Sequence, residues 1–187
     1  MNSLDTEISK GKLLISEPFM EDNFFRGAVV LVCDHTKEGT FGLIINRNTN
    51  IPLSRVVENF PDIKMPIFYG GPVQPETLHY VHTLGPVIEG SIHIRDGIWW
   101  GGHYEMVKAM LELGQIRKSQ IRFFSGYSGW EAGQLAVELQ KRDWIVTDAT
   151  EEILFRQNPD MVWKTALEQL GGNYRVLADF HENQGLN

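Results

Sequence analysis

The sequence has almost no cysteine, no long hydrophobic run and no excess of basic residues. Cys33 is the only cysteine of 187 residues, which excludes an internal disulfide and favours a reducing compartment. The longest apolar run, 28–33, is far shorter than the ~20 residues of a membrane-spanning helix. Asp5 and Glu7 stand where a signal peptide has basic and apolar residues. We therefore expect a cytoplasmic protein with no membrane contact.

The net charge of −7 argues against direct binding to nucleic acid. Such binding depends on Lys and Arg side chains that neutralise phosphates. The densest basic stretches, 117–122 and 141–142, hold few positive charges and have acidic neighbours. We expect the partner to be a protein or a small molecule instead.

The composition is that of one globular domain spanning residues 1–187, with 42% hydrophobic and 22% charged residues. Segments rich in β-branched and aromatic residues predict strands at 12–16, 28–34, 41–46, 67–69, 78–83, 91–95, 121–125 and 144–147. Apolar periodicity and capping residues predict helices at 53–60, 103–113, 131–141 and 158–170. Because strands dominate the first half and helices the second, the sequence favours an α+β fold over a regular βαβ arrangement.

The segment 126–130, Gly-Tyr-Ser-Gly-Trp, is predicted to be a turn between a strand and a helix. A nucleophile elbow needs Gly-x-Ser-x-Gly, but Trp130 stands where the second glycine belongs. A P-loop needs a lysine that is absent here. Ser128 followed by Glu131 fits a capping box at the start of a helix. We predict that Ser128 caps this helix, and an anion held at the helix N-terminus is the alternative.

We considered histidines as metal ligands and the single cysteine as a nucleophile. On a strand, His79 and His82 are three residues apart and point to opposite faces, so they cannot chelate one ion there. No Cys, Asp or Glu group follows with zinc-ligand spacing, and we expect no metal and no cofactor. Cys33 lies in an apolar strand and is expected to be a buried hydrophobic residue, with His35 as the near partner that could activate it.

Three strand ends combine aromatic residues with glycines, at 68–71, 99–102 and 123–127. Glycines let a ligand approach the backbone and rings supply an apolar wall, so these ends would frame a cleft if they converge. The alternative is that the rings fill the core and the glycines make tight turns. The candidate binding residues are Tyr69, Gly70, Gly71, Trp100, Gly101, Gly102, His103, Gly126, Tyr127, Ser128, Gly129 and Trp130.

Six segments occur in a characteristic order along nearly the whole chain. They are GKLLISEP (11–18), FRGAVVLVCDH (25–35), GLIINR (42–47), FYGGPV (68–73), GIWWGG (97–102) and FSGYSGWEAGQL (124–135). Together they resemble the bacterial YqgE/AlgH family, for which the GYSGW-x-x-GQL block is specific. The chain departs from the family pattern at Asp34-His35, where many members have Glu-His, and at His103, where an acidic or amide residue is usual.

The resemblance implies an α+β fold whose mixed sheet curls into a partial barrel with flanking helices. It also implies a location in the bacterial cytoplasm. It implies no established enzymatic activity and no cofactor. One branch of the family is named for a proposed role in transcriptional control, which does not require DNA contact. We therefore favour a non-enzymatic binding or regulatory protein that acts on transcription indirectly. The alternatives are a hydrolase-like enzyme using Ser128 or Cys33 with His35 or His103, and a direct DNA-binding factor.

Overall fold

A computed structural model describes residues 8–156 and 158–180, so Asp5 and Glu7 lie outside the described residues. The strands are β1 (Lys12–Ser16), β2 (Val29–Thr36), β3 (Gly39–Ile44), β4 (Asn48–Pro52), β5 (Pro66–Tyr69), β6 (Val73–His82), β7 (Ile92–Arg95), β8 (Ile98–Trp100), β9 (Ile121–Glu131) and β10 (Trp144–Asp148). The α-helices are α1 (Tyr104–Glu112), α2 (Gln134–Lys141), α3 (Val162–Leu170) and α4 (Asn173–Phe180). Short 3-10 turns and one π-helical turn, Glu152–Arg156, connect them.

The strands form one mixed sheet that curls into a half-barrel. Its main path has the order β10-β1-β2-β3-β9-β6-β8-β7. β5 lies off this path, parallel to β9 and antiparallel to β4, while the other strand pairs are antiparallel. The prediction of an α+β fold with a curled mixed sheet is confirmed.

Strand β9 connects the two parts of the sheet. Along one edge, its first half pairs with β5 and its second half pairs with β3. β6 pairs with the opposite edge, with an irregular stretch between Val73 and Leu78. The change of partner along one edge takes place around Gly126, where the backbone has φ +64°. This position brings β5, β6 and β9 into close contact.

Helices cover both faces of the strands. Leu13 packs in a cluster with Val162 of α3, whereas its neighbour Leu14 packs in another cluster with Leu135 of α2. Side chains of adjacent strand residues point to opposite faces, which explains this division. A third cluster contains Val107 of α1 and Phe123 of β9. The continuous apolar run 28–33 is therefore buried on both faces, as the sequence predicted.

The predicted helix at 53–60 is wrong, because a single 3-10 turn, Leu53–Arg55, stands there. The predicted helix at 131–141 begins at Gln134, since β9 continues to Glu131. Sequence reasoning missed β4 and α4, which are short or partly polar, and it gave no bounds for β8, although it placed a strand end at 99–102. None of the helices in the described ranges has the length and apolar character needed to cross a membrane.

Candidate functional site

Ser128 is a buried strand residue, and the prediction that it caps a helix is wrong. It lies within β9, pairs with Gly42 of β3 and is 0% exposed. Its hydroxyl donates to the Gly70 carbonyl at 3.1 Å. Gly133, and not Ser128, precedes the first residue of α2. The local sequence pattern favours a helix cap, but pairing of Ser128 with the distant Gly42 in the sheet determines its structure instead.

The glycines at two of the three predicted junctions pack against each other. We call the contact of Gly70 and Gly71 with Gly126–Ser128 the glycine crossing. The Gly70 amide donates to Ser125 at 2.8 Å, and the Gly70 carbonyl accepts from Ile44 at 2.9 Å. A Cβ atom placed on Gly126 would lie 2.6 Å from the Gly71 oxygen, and one placed on Gly70 or Gly71 would overlap the backbone of β9. These glycines allow backbones to approach each other.

Cys33 is buried in the hydrophobic core at an irregularity in the pairing of β2 with β3. Burial, with a smaller effect of the Asp34 carboxylate, raises the pKa of its thiol far above the usual value. A thiol held neutral is a poor nucleophile. The ring of His35 instead hydrogen-bonds the Thr40 hydroxyl at 2.7 Å. The structure therefore gives no support to a Cys33–His35 pair.

Tyr69 and Trp130, two of the candidate binding residues, each pack against aromatic residues outside the predicted junctions. Tyr69 packs against Phe24, with ring centroids 5.8 Å apart. Trp130 is buried, and its indole N–H donates to Glu138 at 2.8 Å. The indole N–H of Trp144 donates to the same carboxylate oxygen at 2.7 Å. These contacts fix Trp130 as part of the packing between β9 and α2.

An open groove of about 580 Å³ forms where β8 leaves the edge of β6. Within β6, Val81 and His82 are the described residues that pair with β8, and the Gly101 amide donates to the Tyr80 carbonyl at 2.9 Å. The chain then turns away into α1, so no described strand flanks β6 beyond Tyr80 on this side. We call this space the aromatic groove; it is lined by Val56, Val57, Glu58, Glu76, Leu78, His79, Tyr80, Trp100, Gly101, Gly102 and Tyr104.

Rings link the aromatic groove to a second hollow of about 670 Å³. Phe41 lies in the second hollow, 4.7 Å from the Tyr127 ring and 4.8 Å from the Trp100 ring. His79 lies 5.2 Å from Phe41. Trp100 and Tyr127 from two predicted junctions are thus brought near each other through Phe41, and Gly129 and Trp130 also line the second hollow. Tyr69 lines neither space.

Gly101 and Gly102 form one wall of the aromatic groove, and a network of hydrogen bonds holds them in place. The Tyr80 hydroxyl donates to the Gly102 carbonyl at 2.6 Å. His82 is buried; its Nδ1 accepts from the Leu84 amide at 3.2 Å, so its Nε2 carries the proton and donates to Gly101 at 3.0 Å. Burial lowers the pKa of His82, against a smaller effect of the Gly101 hydrogen bond. The wall is therefore held by a neutral imidazole.

The first turn of α1 closes one end of the groove. His103 is exposed and caps this helix, with its Nδ1 accepting from the Met106 amide at 3.4 Å. Tyr104 follows, and its buried hydroxyl has no hydrogen-bond partner among the described residues. Burial, with a smaller effect of Glu105, raises the pKa of Tyr104. Since buried polar groups nearly always have partners, this hydroxyl is an unusual feature of the groove.

The charge in the lining is negative. Glu58 and Glu76 are exposed carboxylates, and among the described lining residues there is no lysine or arginine. Burial lowers the pKa of His79 below its usual value, which leaves this ring neutral at pH 7. No group of three His, Cys, Asp or Glu side chains in residues 8–156 and 158–180 could hold a metal ion.

Sequence reasoning identified Trp100, Gly101 and Gly102 as a unit but missed most other lining residues of the groove. Leu78 and Tyr80 alternate along β6, which was the available signal. Val56–Glu58 and Tyr104 come from a loop and a helix whose position depends on the whole sheet. Local patterns carry no information about that position.

Comparisons with known proteins connect the fold to a family. A family model described as AlgH-like matches residues 13–175. A UPF0301 protein of Chlorobium limicola is 37% identical over 187 residues, covering 100% of both chains. A UPF0301 protein of Cytophaga hutchinsonii is 37% identical over 181 residues, covering 96% of this chain and 100% of that protein.

Two solved structures share the fold. The solution structure of the AlgH protein from Pseudomonas aeruginosa has a TM-score of 0.75 and 28% identity, covering 95% of this chain and 96% of that chain. A crystal structure of a protein from Corynebacterium diphtheriae has a TM-score of 0.76 and 21% identity, with 92% of each chain covered. At that identity the second likeness concerns the fold alone.

Proposed function

The chain belongs to the AlgH-like family, and from the groove that its fold forms we propose that it is a non-enzymatic protein that binds a small molecule. The observation that supports this most directly is the lining of the aromatic groove. Trp100, His79 and Tyr104 remain partly exposed there, and Trp100 and Tyr104 pack at the borders of two buried clusters. A volume of about 580 Å³ suits a small ligand, because ligand pockets typically span about 300–1,000 Å³.

Neither proposed nucleophile supports an enzymatic function. The Ser128 hydroxyl donates to a backbone carbonyl, and the Cys33 sulfur lies 3.7 Å from the Leu31 carbonyl oxygen. Among the described residues, neither has the hydrogen bond to an imidazole that would activate it. His103 caps α1 and is exposed. A binding role needs none of these groups to react.

The test uses 4-tert-butylphenol, a neutral aromatic probe, titrated against the protein by ligand-observed NMR. We expect weak binding, with a Kd of about 1 mM, because the probe has few atoms. Trp100→Ala should weaken binding about tenfold, since it removes the largest ring of the groove. Phe19→Ala is the matched control, because Phe19 is 56% exposed and lies outside the groove. Equal binding by the wild type and Trp100→Ala would contradict the proposal.

We further propose that any regulatory role follows from occupation of the groove, without direct contact to DNA. The net charge of −7 supports this, because phosphate binding needs clustered positive charge. A titration of a labelled DNA duplex at physiological salt should give no complex. Binding with a steep dependence on salt concentration would overturn this part of the proposal.

A further inference from the structure

The lining of the aromatic groove combines electron-rich rings with carboxylates. We propose that its ligand is a small organic cation, an ammonium or guanidinium group attached to an apolar body. This inference rests on the proposed function, since it assumes that the groove is the binding site. It goes further by assigning the charge and the chemical class of the ligand.

The charges of the lining favour a cation. Glu58 and Glu76 are the charged residues of the groove, and both are exposed at its surface. His79 adds no positive charge at pH 7, because burial lowers its pKa. An anionic ligand would meet two carboxylates without a cationic side chain of the described lining to balance them. A cation would instead meet favourable potential from both.

The rings provide a second, independent attraction for a cation. Trp100 and Tyr80 line the same space, and Trp is the side chain whose ring attracts cations most strongly. Tyr80 keeps its proton, because burial and the nearby Tyr104 raise its pKa to about 12. Tyr80 is 5% exposed and its hydroxyl is bonded to Gly102, so it belongs to the floor of the groove, and the partly exposed Trp100 supplies the ring that a ligand can contact.

The hydroxyl of Tyr104 provides a third feature. It is buried at the groove and has no partner in the described part of the chain. A buried hydroxyl without a partner destabilises the fold, so its presence calls for a use outside folding. Because the oxygen itself is buried, a ligand reaches it only if the ring turns towards the groove, and the oxygen then accepts a hydrogen bond from an ammonium or guanidinium N–H.

The remaining lining is apolar and suits the body of such a ligand. Val56 is 51% exposed, and Val57 and Leu78 are partly exposed beside it. A small polar cation such as a metal ion would gain nothing from these surfaces. A cation with an aromatic or branched aliphatic body would remove them from water and gain hydrophobic free energy.

The test compares three probes of nearly the same shape that differ in charge: (4-hydroxyphenyl)trimethylammonium, 4-tert-butylphenol and 4-hydroxybenzenesulfonate. Affinities are measured by NMR titration at low salt. We expect the cation to bind about tenfold more tightly than the neutral probe, with the anion weakest. Only the affinity of the cation should fall as salt is added.

Charge variants locate the effect. Glu58→Gln and Glu76→Gln should each weaken binding of the cation about threefold and leave the neutral probe unchanged. Glu112→Gln is the matched control, since Glu112 is an exposed residue at the end of α1 outside the lining. It makes the same change in net charge. A similar loss in this control would show that only the overall charge matters and would overturn the inference.

The outcomes separate this inference from the proposed function. If the cation and the neutral probe bind equally and both depend on Trp100, the groove is a binding site but the preference for a cation is wrong. If the anion binds most tightly, the preference is also wrong. If no probe binds, or if Trp100→Ala leaves the affinities of the probes unchanged, both proposals fail.

Discussion

The glycine crossing and the aromatic groove carry the same sequence signal, aromatic residues next to glycines, but use it differently. In the crossing, Gly70 and Gly126 bring backbones together, and the Ser128 hydroxyl is fully satisfied by a carbonyl. In the groove, Gly101 and Gly102 form a wall, and a ring hydroxyl has no partner among the described residues. The side-chain hydroxyl in the crossing has a hydrogen-bond partner, whereas the Tyr104 hydroxyl at the groove has none among the described residues.

This difference shows that unsatisfied groups are a better guide to a site than residue types. Close approach of strands requires glycine whether or not a ligand is nearby. A partly exposed ring beside an unpaired hydroxyl has no such structural reason. The comparison predicts that changes at the crossing alter stability, whereas removal of the partly exposed Trp100 ring in the groove alters binding.

The largest expected effect is that of Gly126→Ala at the crossing. The added Cβ would lie 2.6 Å from the Gly71 oxygen and 2.9 Å from the Val73 oxygen, and the backbone has φ +64°. Strain and overlap together should lower the free energy of unfolding by about 3 kcal/mol or more. Urea denaturation measures this loss.

Gly133→Ala is the matched control for that variant. Gly133 has a similar backbone angle, φ +77°, but an added Cβ would meet no atom within 4 Å. Only the backbone strain remains, so we expect a loss of about 1 kcal/mol. Equal losses at the two positions would show that the crossing is not closely packed.

A smaller effect distinguishes two tyrosines of the groove. Tyr80→Phe removes the donor to the Gly102 carbonyl and should lower the free energy of unfolding by about 1 kcal/mol. Tyr104→Phe removes a hydroxyl without a described partner, so stability should stay the same or rise slightly. Thermal unfolding of both variants checks this. A loss of stability in Tyr104→Phe as large as that in Tyr80→Phe would mean that the hydroxyl serves the fold.

The smallest effect is a dependence of stability on pH that comes from the wall of the groove. Burial lowers the pKa of His82 in the folded protein from the ordinary value of 6.5. The unfolded state then binds a proton more readily, so the contribution of His82 is present above pH 6.5 and is lost as the pH falls through the folded pKa. His79 shifts in the same direction.

Denaturation between pH 7.5 and 5, about the range in which histidine titrates, measures this dependence. His82→Gln should reduce the slope of stability against pH in this range. Stability that rises as the pH falls in this range would contradict the burial of a neutral His82.

Local patterns predicted the regular part of the fold. Strand β1 was predicted with its observed ends, and the buried run in β2 was recognised because its residues are apolar on both faces. Ser128 was misplaced because its partner, Gly70, is 58 residues away. The groove was found only in part because Trp100, Tyr104 and Glu58 lie on a strand, a helix and a loop that the tertiary fold brings around one space. No local pattern specifies those contacts.

The most direct test of the account is a map of amide chemical shifts in two-dimensional NMR spectra as (4-hydroxyphenyl)trimethylammonium is added. We predict that the shifts concentrate at His79, Gly101, Gly102 and Tyr104, around the groove. The amide resonances of Gly70, Gly126 and Ser128 in the glycine crossing should not shift. Shifts concentrated at the crossing, or spread evenly over the protein, would contradict the division between a completed structural contact and an open binding site.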